Sequence, residues 1–129
     1  MGIRDRSGMP PAKRRMYPTK QLAVAQMRVM LEQTKSVWCQ VMSEACRSPT
    51  KDQVMRAYVA QYTVMENANE LAQLAIRTCG GQSMLKALPL ERIYRDSRCG
   101  SLMLPWTAEL CLDKLGRDTL YEAGETDES

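Results

Sequence analysis

Few residues in this 129-residue chain could do chemistry, and they are unevenly placed. There is no histidine, which removes the commonest general base and the usual activator of a serine or cysteine nucleophile. The five cysteines, Cys39, Cys46, Cys79, Cys99 and Cys111, include no CxxC pair, so their spacing gives no support for a metal site. Cys39 and Cys46 stand seven apart, which puts them on one helical face as small core residues. Two features remain. A glycine pair, Gly80-Gly81, closes a long helical pattern, and the charged run "PLERIYRDSR" follows from Pro89 to Arg98. The pair has two readings: one glycine caps the helix while the other eases the turn, or absent side chains let a ligand approach the backbone. In the charged run, Glu91 with Arg95 and Arg92 with Asp96 stand at i, i+4 and can pair along a helix surface.

The elements that must position these groups are helical. The chain is long enough for one domain. Its 44% hydrophobic content is ordinary, but it is drawn from ten Met, five Tyr, two Trp and no Phe. Met and Leu favour helices and β-branched runs are short, so the expectation is an all-α antiparallel bundle. Such a bundle would have two long helices, a short helix and a C-terminal helix.

Residues 1–18 carry Gly2, Gly8, Pro10, Pro11 and Pro18 without apolar periodicity and read as a flexible basic tail. Thr19 can cap a first helix to about Arg47, with an apolar stripe at Leu22, Ala25, Val29, Val37, Val41 and Ala45. Met27, Met30, Leu31, Trp38 and Met42 widen that stripe, so this helix should touch neighbours on two sides. Pro49 stops it. Thr50 with Gln53 makes a capping box for a second helix to about Cys79, and the short connection makes the two antiparallel. Pro89 can start a third helix halted by Gly100. Thr107 can cap a fourth to about Tyr121, with Leu110, Cys111 and Leu115 inward. Residues 122–129 read as an acidic, disordered tail.

Net charge is +3, with cations gathered before the first helix and carboxylates after the last. A short basic head is usually a solvated terminus. No aromatic residue is interleaved with it for base stacking, which argues against nucleic acid as a partner. An odd cysteine count, no signal peptide and no apolar run near 18 residues predict a reducing, cytoplasmic setting without a membrane.

The order of the motifs carries more. A long helix ending in Gly80-Gly81 comes first, then Pro89 with Glu91-Arg92 and Arg95-Asp96-Ser97-Arg98. Thr107 with Glu109-Leu110 then opens a last helix. This order resembles the C-terminal helical domain of acyl-CoA dehydrogenases, with its GG-x-G, P-x-E-R/K-x-x-R-D-A-R and T-x-E/Q-I stretches. The "LAVAQM" from Leu22 to Met27 is similar to that family's L-A-D-M helix start. The resemblance covers 19–121 and implies a bundle lacking the family's first helix.

What the resemblance implies is FAD chemistry: removal of hydrogens from the α and β carbons of an acyl-CoA thioester, with a hydride passing to the flavin. Arg77, Thr78, Cys79, Gly80 and Gly81, joined by Thr107, Ala108 and Glu109, would line the FAD of a neighbouring subunit. Arg92, Arg95, Asp96 and Arg98 would be a structural ion-pair set.

The chain also departs from the pattern. Pro105 stands where the family usually has its catalytic Glu, so no catalytic residue is assigned. Glu91 and Glu109, the nearest carboxylates, are better placed as scaffold and cofactor contact. Ser83 replaces the third glycine, Arg77 the usual Gln, and Pro18 lies near another FAD-contacting Gln. The family's N-terminal and middle domains have no counterpart here. The implied role is a fragment or subunit that completes the FAD site of a partner, either itself or a larger dehydrogenase subunit. Such a chain would be inactive alone and would meet acyl-CoA only through that partner. The alternative is a non-enzymatic helical oligomerisation protein derived from the same domain.

Overall fold

A computed structural model describes residues 16–81, 85, 87–122 and 124–127. Among them the chain is all helical: α1 Pro18–Glu44, α2 Lys51–Cys79, α3 Leu90–Leu102 and α4 Ala108–Leu120. The rest of the basic head, Ser83 and the final two residues of the acidic segment lie outside the described residues.

α1 starts two residues earlier than a Thr19 cap would set it. Tyr17 is the N-cap without a side-chain cap bond, and Pro18 occupies the first helical turn. Proline suits that turn, because its fixed φ is already helical and its missing N–H would have had no partner there. α1 also ends sooner than Arg47, at Glu44, where Ala45 turns extended. The next cap is the expected one. Thr50 Oγ1 accepts from Gln53 N at 3.2 Å, and Gln53 Oε1 accepts from Thr50 N at 2.9 Å.

α1 and α2 form an antiparallel hairpin whose register is held at three levels. At one end Arg56 Nε lies 2.9 and 3.0 Å from the two Glu44 carboxylate oxygens. Midway, Asn67 Nδ2 donates to the Met30 carbonyl and to Thr34 Oγ1, each at 3.3 Å. At the other end the Lys20 ammonium donates to the Thr78 carbonyl. Between these points α1 presents Ala23, Met27, Met30, Thr34, Val37 and Val41, all half-buried. Their alternating spacing of three and four is that of a straight helix–helix seam.

That seam is not the whole expected stripe. Leu22 and Val29 are 63% and 57% exposed, and Ala25 is exposed too. Cys39 and Cys46 are not core residues either; both are exposed, and Cys46 lies beyond the helix end. The physical reason is that apolar residues sit on several faces of α1, while α2 can cover only one.

α3 and α4 both pack on α2. Gly100 does not stop α3, which runs through it to Leu102. A Cβ at Gly100 would lie 3.0 Å from both Cγ and Sδ of Met65, so the bare backbone is what lets α3 approach α2. Beside it the Ser101 hydroxyl donates to Glu66 Oε1 at 2.9 Å. Thr107 caps α4 as expected, accepting from Leu110 N at 3.3 Å. Cys111 is the most buried side chain, at 1% exposure, and burial pushes its thiol pKa up. Leu115 is half-buried, but Leu110 points outward. Beyond α4, Tyr121 Oη donates to Asp127 at 2.6 Å, and Lys51 Nζ donates to the Tyr121 carbonyl at 3.0 Å.

Two outcomes follow. Gly100→Val should destabilise the chain by about 1–3 kcal/mol through overpacking, and Met65→Ala should recover part of that loss in urea unfolding. The second concerns acid. Hydrogen bonds from Arg56, then from Gln40, hold the Glu44 carboxyl below its ordinary 4.5. A depressed carboxyl contributes stability above its unfolded value and loses it as pH falls through the lower folded value. The melting-temperature gap between wild type and Arg56→Leu should therefore narrow on acidification from neutral pH to well below 4.5.

Candidate functional site

The residues with expected roles fall into two groups at different levels of α2. The first is the C-terminal end of that helix. Gly80 has φ 68°, and its N–H bonds back to the Ile76 carbonyl, so the capping reading of the glycine pair is met. A side chain at this φ would be strained. The second reading is not closed by this: among the described residues, a Cβ built on Gly80 or Gly81 would meet nothing within 4 Å.

Around that turn the side chains differ in availability. Thr78 Oγ1 donates to the Leu74 carbonyl at 2.7 Å and is turned into its own helix. Cys79 is exposed with a free thiol. Arg77 is exposed and lines a groove of ≈ 610 Å³ between α1 and α2, with Val29, Met30, Gln33, Glu70 and Leu74. Lys20 joins this end through the Thr78 carbonyl. It places a cation against the negative end of the helix dipole. Sequence reasoning missed Lys20, because its partner lies 58 residues away and no local spacing links them.

The second group is the start of α4. Thr107 and Ala108 are half-buried, and Glu109 is exposed in the first turn. Pro105 is exposed and carries no acid–base group. Trp106 packs against Tyr58, with ring centroids 5.2 Å apart and planes tilted by 54°. Tyr58 is near the front of α2 and Gly80 is at its end, so the two groups are roughly 30 Å apart at ~1.5 Å per residue. One chain does not bring them together.

The charged helix differs from expectation. Among the described residues the ion pairs are Arg28–Glu32, Glu44–Arg56, Lys114–Asp118 and Asp113–Arg117, and neither expected pair on α3 forms. Instead Arg98 donates to Tyr94 Oη at 2.9 Å and lies over that ring. Exposed i, i+4 pairs contribute only about 0.2–0.5 kcal/mol, too little to hold two long side chains in place. Among the described residues no His, Cys, Asp and Glu cluster is arranged to hold a metal ion. No described helix is long and apolar enough to cross a membrane.

A hairpin of two long helices, with two short helices in series on the second and an open glycine turn at its end, defines a helical-bundle domain. The family model for the acyl-CoA dehydrogenase C-terminal domain matches residues 7–104, three-quarters of the chain, and the chain belongs to that family. The match takes in the glycine turn and α3 and stops just before Pro105. No curated protein and no solved structure matches the chain.

Removing the Lys20 contact should loosen the glycine turn. Lys20→Met is expected to cost about 1 kcal/mol. It should also speed amide exchange at Cys79 and Gly80 more than at the Thr50 end of α2.

Proposed function

We propose that this chain serves as the flavin-contacting helical domain of an acyl-CoA dehydrogenase assembly, completing the FAD site of a partner and not catalysing alone. The partner is a second copy or a larger dehydrogenase subunit, which would supply the acyl-CoA pocket and the base. The glycine turn is the observation that carries the reading. A Cβ built at Gly81 would meet nothing within 4 Å among the described residues, and Arg77, one turn back on α2, is exposed. Open backbone next to a cation suits the anionic, nucleotide half of a dinucleotide cofactor.

Within that site Gly80 and Gly81 would admit the cofactor to the backbone and Arg77 would offset its charge. Cys79 and Thr78 would shape the turn from the helix side. Thr107, Ala108 and Glu109 would contact flavin only across a second chain, since they lie at the other level of α2. Bound FAD supplies the hydride acceptor. This chain's own residues hold it and supply no base, because Pro105 has none.

A second reading has its own support: a non-enzymatic interaction protein that keeps the bundle. Trp106 is folded back on Tyr58 beside the position where a catalytic carboxylate is usual. Large apolar side chains are also exposed along α1, with Trp38 at 55% and Met42 at 54%. A second protein surface would cover them.

The test is co-purification with a dehydrogenase subunit carrying the N-terminal and middle domains. The complex should show flavin absorbance that neither chain retains alone. Gly81→Val should cut flavin retention at least ~10-fold while leaving complex formation intact, since Gly81 has no positive φ and its side chain would enter open space. Unchanged flavin in that variant would sink the cofactor reading. A stable complex without any flavin would favour the interaction protein.

A further inference from the structure

Where α1, α2 and the segment entering α4 meet, an apolar pocket of ≈ 270 Å³ opens that the flavin reading does not use. Its walls are three aromatic rings from three elements: Trp38 of α1, Tyr58 of α2, and Trp106 just before α4. Val41, Ala60 and Val64 contribute aliphatic surface. The one amide in the lining, Gln61, donates to Met65 Sδ at 3.2 Å, within its own helix. Trp38 and Trp106 remain 55% and 43% exposed, so the rings stand at the mouth and not in a sealed core.

These features select a ligand class. The volume falls below that of pockets for drug-sized molecules, which limits an occupant to one or two rings. Flat walls set at an angle favour a flat ring, because offset and tilted stacking adds to apolar burial. Charge selects further. No carboxylate lines the pocket, and the Lys114 ammonium sits 5.3 Å from the Tyr58 ring centroid. That ammonium, paired with Asp118 at 2.9 Å, already holds the cation–π position on Tyr58, so a cationic guest, the usual occupant of an aromatic cage, would find neither a lining carboxylate nor that ring face free. We infer that the Trp38–Tyr58–Trp106 pocket binds a small, flat, uncharged aromatic molecule of one or two fused rings.

The two tryptophans of the pocket are the only two in the chain, so its whole tryptophan emission reports on this site. The full chain would be titrated with 2-naphthol, following emission quenching and calorimetric heat together. Cyclooctanol serves as a non-aromatic arm of similar size, and a naphthalene bearing a trimethylammonium group as the cationic arm. Saturable naphthol binding is expected, with both other arms about 10-fold weaker. Trp106→Ala should weaken naphthol about 10-fold, and Trp106→Phe should stay within about 3-fold of wild type.

Should Trp106→Ala lose its helical signal, Trp38→Ala provides the same comparison from the exposed face of α1. Absence of saturation, equal binding of cyclooctanol, tighter binding of the cation, or indifference to both alanine variants would overturn the assignment. Flavin retention is read at Gly81, at the far end of α2, so the two results are separable.

Discussion

Among the described residues every other helix packs on α2, and the fold depends on that shared surface. α1 takes one side along nearly the full length, while α3 and α4 lie in series on another. The hairpin register is the first constraint, because it decides what each level of α2 can meet. Glu44–Arg56, Asn67 and Lys20–Thr78 pin it at both ends and the middle. A slip by one helical turn would leave Asn67 without its three α1 partners and Glu44 without its bidentate guanidinium. Buried or half-buried polar groups left unpaired cost more than their bonds contribute when made.

The same arrangement leaves the bundle incompletely covered. Among the described residues only Ala60, Ala72 and Cys111 are buried apolar side chains, and each is small. α1 carries a second apolar row, Val24, Leu31, Trp38 and Met42, that remains exposed. The fold of the described residues leaves this row to the surface because α2 covers only one face of α1. The family model that the chain matches is that of a C-terminal domain.

The placement of the two chemistry-bearing segments has its own consequence. The glycine turn and the start of α4 come within about thirty residues in sequence, yet the fold puts them near opposite ends of α2. Anything that touches both must bridge two chains or be two separate molecules. Trp106 shows how the α4 end is used within this chain. Its ring packs on Tyr58 and helps build a pocket where the family pattern would lead one to look for a carboxylate.

Local rules were enough for much of this. The capping box at Thr50, the glycine cap at Gly80, the Thr107 cap and the four helices themselves follow from neighbours in sequence, because each depends on bonds spanning a few residues. Motif order was enough for the family. Tertiary structure decided which of several apolar faces of α1 became the seam, since periodicity cannot choose among faces when more than one is apolar. It also decided that Gly100 is a contact with Met65 and not a helix stop, and that the α3 arginines do not pair with carboxylates. Lys20 and Trp38 became part of their sites only through partners on other helices. Those are long-range choices, made by what each side chain meets after folding, and the sequence alone carries no local mark of them.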